Sequence, residues 1–395
     1  VSTEELIETA EAIIDWQLPN GMIPWFPGGH SDPWNHIEAA MALAVTGHLD
    51  EAENAYLWLK ENQLPNGAWH HYYLANEIED PKHDSNVVAY VATGVWHHWL
   101  MTHDRGFLET MWSVVEPAID FVLSLQTPRG EIIWAMHPDG TPWSYALLTG
   151  SSSICHSLRC AISTAEELGH ERPDWELSLA NLAHMVKKYP DKAFAPKERW
   201  AMDWYYPVLS GVVSGEQGKT LLSEKSNIFI MEDKGVKCVS DQPWITTAET
   251  CECAIAYLTA GDTQKAESLF LWSQDMRQKD GHYLTGVVHP TKQSFPEAEK
   301  TTYSSAAVIL AADAISQSSP ASGIFTGLSL LSAPILADEY STKGSYLTGS
   351  IGGSAIGDID VSGVNSDIEF ETGLGLDLGY GYDFGKTRVE GTWVR

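Results

Sequence analysis

The chain has 395 residues, with 53 acidic against 24 basic side chains and a net charge of -29. A field of that sign repels phosphate backbones and anionic headgroups, so nucleic acid and the membrane surface are set aside as partners. Its 44% hydrophobic content supports a large core, while no apolar run reaches the length of a membrane-spanning helix.

In chain order the first signal is a repeated turn. Gln17-Leu-Pro-Asn-Gly21 precedes Trp25, Gln63-Leu-Pro-Asn-Gly67 precedes Trp69, and Gln126-Thr-Pro-Arg-Gly130 precedes Trp134. A weaker copy ends at Gln278-Lys-Asp-Gly281. In each, Pro or a polar residue stops a helix and Gly takes the tight turn that follows. Between the turns the apolar period is helical. Ala52, Ala55, Tyr56 and Leu59 form the stripe of a half-solvated helix, and Leu108, Met111, Trp112, Val115, Ile119 and Val122 form another. Residues 85–100 hold no Asp, Glu, Lys or Arg, which predicts a helix buried all round.

The spacing predicts outer helices near 2–16, 50–63, 107–126, 174–189, 216–226 and 262–275. Inner helices alternate with them near 33–46, 85–101, 150–168, 204–213, 244–259 and 300–316, with Gly211, Gly215 and Gly218 interrupting the fourth pair. Six of each close a ring, an all-α (α/α)6 barrel over residues 1–320. The five cysteines, Cys155, Cys160, Cys238, Cys251 and Cys253, are odd in number and fall on helical segments. That predicts free thiols and a cytoplasmic location for the barrel.

Several longer runs carry a family resemblance: Ile23-Pro-Trp-Phe-Pro-Gly-Gly-His-Ser-Asp-Pro-Trp-Asn-His36, Ala89-Tyr-Val-Ala-Thr-Gly-Val-Trp-His-His98, Leu148-Thr-Gly-Ser-Ser-Ser153, Met202-Asp-Trp-Tyr-Tyr-Pro207 and Ala248-Glu-Thr-Cys-Glu252. Over about residues 5–325 the chain resembles a bacterial α/α-toroid family labelled prenyltransferase by its fold. That family is related to six-hairpin glycosidases on one side, and to terpenoid cyclases and protein prenyltransferases on the other. The resemblance implies a deep central pocket opening where the inner helices begin. The chain departs from the cyclases in lacking a D-x-D-D acid. It departs from the protein prenyltransferases too: Asp241, Cys251 and Cys253 have no His in the matching context.

The inner helices start at Asp32-Pro-Trp-Asn, Asp84-Ser-Asn, Gly150-Ser-Ser-Ser, Asp203-Trp-Tyr-Tyr and Asp241-Gln-Pro-Trp. Asp and Ser there are ordinary N-caps, and a capping carboxylate on a pocket rim can still act on substrate. Their company is aromatic. Trp34, Trp204 and Tyr206, and Trp244 follow the aspartates, while Trp25, Trp69, His70, His71 and Trp134 enter from the turns. Carboxylates alternating with flat rings suit a sugar, and rings alone suit an isoprenoid. Glu249 lies inside an apolar segment, Trp244 to Tyr257, where desolvation raises its pKa and makes it a candidate general acid. Asp32, Asp203 and Asp84 are the candidates for the partner carboxylate, with Asp32 or Asp203 favoured as base. Cys251-x-Cys253 and Cys155-x4-Cys160 lack metal-ligand spacing, so neither metal nor other cofactor is expected. The expected activity is a glycoside-hydrolase-like reaction on a short oligosaccharide. The alternatives are prenyl transfer or cyclisation, and a non-catalytic glycan scaffold.

After Pro320 the composition changes. A segment over 321–340 contains Leu328-Ser-Leu-Leu-Ser-Ala-Pro-Ile-Leu-Ala337, which looks like a signal-peptide core. Residues 341–395 are Gly-rich, with a β period over 368–384, and Gly379 to Glu390 resembles the first strands of small outer-membrane β-barrels. About three strands are too few to close a barrel, so the tail is expected to be separable from the ring.

Overall fold

Side-chain caps open six of the described helices. In this computed structural model, which describes residues 1–327 and four strands beyond them, Ser2 and Glu5 form a reciprocal capping box at the start of α1 (Thr3–Ile14). Asp32 caps α2 (Pro33–Val45), with Pro33 in the first helical position. α3 (Leu49–Asn62) follows, then α4 (Ser85–Ala89), capped by Asp84 and continued almost at once by α5 (Val91–Thr102). The remaining helices are α6 (Arg105–Ser124), α7 (Leu148–Leu168), α8 (Pro173–Lys188), the short α9 (Pro190–Ala193) and α10 (Met202–Leu209). α11 (Gly215–Phe229), α12 (Thr247–Thr259), α13 (Thr263–Ser273) and α14 (Thr302–Ser316) complete the set.

Each inner helix packs against the next: α2 on α5, α5 on α7, α7 on α10, α10 on α12, α12 on α14, and α14 back on α2. The ring is therefore closed, and the chain folds as the (α/α)6 toroid. α14 is buried along nearly its whole length, whereas α3 buries only Ala52, Ala55, Tyr56, Trp58 and Leu59. Inner helices are enclosed on all sides and outer helices on one.

The repeated turns tie neighbouring outer helices together. Gln17, Gln63 and Gln126 each donate from Nε2 to the carbonyl of their own turn glycine and to a carbonyl of the next outer helix, at Glu51, Val114 and Ser178. At Gly67, with φ of +88°, a Cβ would stand 2.1 Å from the Pro117 carbonyl oxygen, so only glycine permits the approach. The weaker fourth copy docks differently. There Thr9 of α1 donates to the Gly281 carbonyl at 2.9 Å and Arg277 pairs with Glu8 at 2.6 Å, which closes the outer ring.

Two features depart from the all-helical expectation for residues 1–320. A five-stranded antiparallel sheet joins Ile230–Met231, Gly235–Lys237, Trp244–Thr246, Leu284–Val288 and Gln293–Lys300 in sequence order. As a result α12 starts at Thr247, Trp244 lies on a strand, and Glu249 sits in the first turn of its helix rather than deep inside it. Packing also continues past residue 320: the Ile324 carbonyl meets His156 Nε2 at 2.9 Å and Phe325 stacks on the same imidazole.

The chain divides into two units, Val1–Ala333 and Pro334–Arg395. In the second, Gly344–Ile351, Ala355–Ile359, Leu376–Asp383 and Arg388–Val394 form one antiparallel sheet with the Ala355–Ile359 strand at one edge. The segment resembling a signal-peptide core, 328–337, lies outside the described residues. Much of the expected β period, including 368–375, does so too. Among the described residues no helix is long and apolar enough to cross a membrane.

Candidate active site

The first turns of α2, α4, α10, α12 and α14 line a central cavity of about 540 Å³. Asp32 stands at its wall, 3% exposed. Its Oδ1 accepts from the Asn35 amide at 3.0 Å, and its Oδ2 from Trp25 Nε1 at 2.8 Å and Asn35 Nδ2 at 2.7 Å. Burial raises the Asp32 carboxyl above the usual aspartate range and these donors oppose it. Glu249 lines the same cavity from α12. Burial raises it as well, opposed only by the Thr246 hydroxyl and the amide at its own helix start. His71 also faces this space and is held neutral, its pKa lowered to about 4 by burial.

A second tier of acids lies deeper along the same helices. Glu38 Oε1 accepts from Trp34 Nε1 at 2.9 Å and from the Tyr90 hydroxyl at 3.2 Å. Glu252, one turn below Glu249, accepts from the hydroxyls of Tyr205 and Tyr206, the latter at 3.0 Å. Burial pushes Glu38 up to about 7. Burial also drives Glu252 well above the carboxylate range, with the charges of Glu38 and Glu249 adding to the shift. A void of about 20 Å³ between these groups is closed by Leu209, Ile255, Leu310 and Phe325.

Beside the main cavity is a lobe of about 320 Å³ that shares Trp34, Asp84, Trp200 and Met202 with it. Asp84 accepts from the Asn86 and Val87 amides and from Trp134 Nε1, and burial raises its pKa to about 6. Asp203 does not cap its own helix. It accepts from the amide and hydroxyl of Thr149, so it caps the start of the neighbouring α7, and burial raises its pKa.

Of the residues expected at the site, Asp32, Glu249, Asp84, Trp25 and Trp34 meet at the main cavity, and Asp203 and Trp134 at the side lobe. Tyr206 lines the small void beneath. The rest lie elsewhere. Trp69 is buried and donates to the Leu59 carbonyl, and Trp204 stacks on Phe229 and donates to the Leu221 carbonyl. Trp204 thereby fills the space between α10 and α11. His70 is hydrogen-bonded to the Pro81 carbonyl, and its neighbour His71 takes the pocket position. Trp244 stacks behind Phe295, which does face the cavity. Asp241 is an exposed partner of Arg199. Sequence reasoning missed Glu38, Tyr72, Trp200, Phe295, Glu299 and Tyr303. Among the described residues no group of His, Cys, Asp and Glu is arranged to hold a metal ion, and all five cysteines are free and buried.

No family model matches the chain. It is 47% identical over 330 residues, 84% of its length, to the MMP endo-(1,4)-3-O-methyl-alpha-D-mannosidase of Mycolicibacterium hassiacum, covering 91% of that protein. Its fold is similar to a glycosidase solved in complex with glucose, with TM-score 0.65 and 14% identity over 80% of this chain and 99% of the other. It is also similar to a GH63 mannosylglycerate hydrolase from Thermus thermophilus, with TM-score 0.61 and 11% identity over 78% and 99%. A D-mannose isomerase shares the fold as well, at TM-score 0.57 and 11% identity over 78% and 96%, so the toroid alone does not specify hydrolysis. Identity of 47% over most of both chains does more than a shared fold: this chain is a glycosidase-like hydrolase and belongs to the family of the Mycolicibacterium hassiacum endo-mannosidase.

Proposed function

We propose that the chain cleaves internal α-(1,4) bonds of a 3-O-methylated mannose oligosaccharide bound in the central cavity, with Glu249 as general acid and Asp32 as general base. The substrate class follows the activity named for the relative that is 47% identical. The assignment of roles rests on one observation. Two carboxylates line one cavity: Asp32 is buried and held by three N–H donors, whereas Glu249 is half-buried and its desolvation is opposed only by the Thr246 hydroxyl and the amide at its own helix start. N–H donors favour the ionised form, so Asp32 is suited to take a proton from an attacking water. A desolvated carboxyl keeps its proton, so Glu249 is suited to deliver one to the departing glycosidic oxygen. Asp84 orients Trp134 and Asp203 orients the start of α7, which makes both wall-building residues in this scheme. Neither the cavity nor these likenesses add support to prenyl transfer.

The test is turnover of α-(1,4)-mannose oligosaccharides, methylated and unmethylated, by the wild-type chain and by Glu249→Gln. Glutamine keeps the shape and removes the proton, so the rate should fall about 10²–10⁴-fold with melting temperature and sugar binding retained. A variant that loses stability but keeps its turnover would place the acid elsewhere.

A further inference from the structure

The main cavity and its side lobe differ in what their walls leave free for a ligand. The lobe's apolar surface comes from Trp34, Trp134, Leu147, Trp200 and Met202. Its carboxylates are largely engaged within the wall. Both Asp84 oxygens accept donors of the protein, and Asp203 Oδ1 takes the amide and hydroxyl protons of Thr149. What remains is Asp203 Oδ2, the Asn86 side chain, whose buried amide oxygen meets no donor among the described residues, and Lys197 at the rim. Trp200 lines both spaces and is 46% exposed, so it can offer an indole surface to a ligand.

A fully hydroxylated sugar entering this lobe would set several donors against indole, thioether and leucine surfaces that cannot accept them. An O-methyl group in place of one hydroxyl removes such a donor and adds apolar surface that Met202 and Leu147 cover favourably. The lobe's volume of about 320 Å³ suits one pyranose, since it falls near the small end of ligand pockets, about 300–1,000 Å³. Its shared wall with the Glu249 cavity places that sugar next to the reacting one. We infer that the side lobe is the subsite that reads the O-methyl group of an adjoining sugar. The methyl lies against Met202 and Leu147, the pyranose face against Trp200 or Trp134, and a remaining hydroxyl meets the Asn86 amide. The inference rests on the oligosaccharide-hydrolase reading above and adds the device that separates methylated from unmethylated chains.

Leu147→Asn and Met202→Gln each put a polar group where the methyl would sit, and both positions are half-buried at the wall. The quantity to measure on the full chain is kcat/KM for 3-O-methylated and unmethylated α-(1,4)-mannose oligosaccharides of equal length. Wild type should favour the methylated substrate by about 10–200-fold, and each variant should lower that ratio about tenfold or more. A wild-type ratio near one, or equal losses on both substrates, overturns the inference and leaves the hydrolase reading standing. If wild type cleaves neither substrate, the hydrolase reading fails by itself. The lobe is then judged by tryptophan-fluorescence titration with methyl 3-O-methyl-α-mannopyranoside and methyl α-mannopyranoside. Tighter binding of the ether by wild type but not by Leu147→Asn supports the inference, and equal or absent binding overturns it.

Discussion

Glu38 shows how the deep acids act on the protein that holds them. Its carboxyl rises to about 7 through burial, while Trp34 and Tyr90 donate to the same oxygen. The folded state therefore keeps a proton that the unfolded chain releases from about pH 4.5 upward, so this group's contribution to stability is full below pH 4.5 and is lost as pH rises through 7. Glu38→Gln retains one oxygen to receive both donors and has no proton to lose. Its melting temperature should change less between pH 5 and 8 than that of wild type, and thermal melts across that range decide it. Parallel curves would show that Glu38 is not the group responsible. Asp32→Ala should behave otherwise. It should lose activity together with about 1 kcal/mol, the usual worth of a cap, because Asp32 both caps α2 and faces the cavity. Asp32 and Asp84 were legible because helix starts leave a local signature of caps and flanking aromatics, and Glu249 because it is an acid within an apolar segment, Trp244 to Tyr257. Glu38 was not, since nothing in Ile37-Glu-Ala39 says which way that turn of the helix faces until the ring is closed.

Elements follow the same division between local and assembled information. The twelve ring helices were readable from period and caps, and so were the turns that join them. The sheet strands Leu284–Val288 and Gln293–Lys300 were not read, although leaving about twenty residues without structure between Gly281 and α14 is itself a warning in a packed domain. That omission hid Phe295 and Glu299 from the expected site and moved the start of α12. The turns offer a direct test of how neighbouring hairpins are held. Gln63→Ala removes two hydrogen bonds, to Gly67 and Val114, and should cost about 1–3 kcal/mol. Gly67→Ala should cost well beyond that, because it combines a positive φ with a Cβ 2.1 Å from the Pro117 carbonyl oxygen. Denaturant melts of the two variants give the order, and a milder Gly67→Ala would mean that the turn shifts away from α6 at little cost.

For the molecule as a whole, what matters is how one end of the ring is closed while the other stays open to substrate. The closing piece is the short segment after α14. Phe325 stacks on His156 with ring centroids 5.0 Å apart, its carbonyl accepts from Thr259 at 3.4 Å, and its side chain faces the void beneath Glu38 and Glu252. The high pKa of those acids thus depends on residues beyond the boundary at 320 that composition suggested. Two truncations separate the plug from the tail. Ending the chain after Gly327 keeps Phe325 and should leave the melting temperature and any glycosidase activity of the ring unchanged, in keeping with a division into two units. Ending it after Pro320 removes the plug and should cost on the order of 3–5 kcal/mol, as for loss of a buried Phe. Water then reaches Glu38 and Glu252 from below, so the remaining stability should also vary less with pH between 5 and 8. Unfolding of the chain that ends at Gly327 would mean that the ring needs its tail, and equal stability of the two truncations would mean that the floor of the pocket is sealed without Phe325.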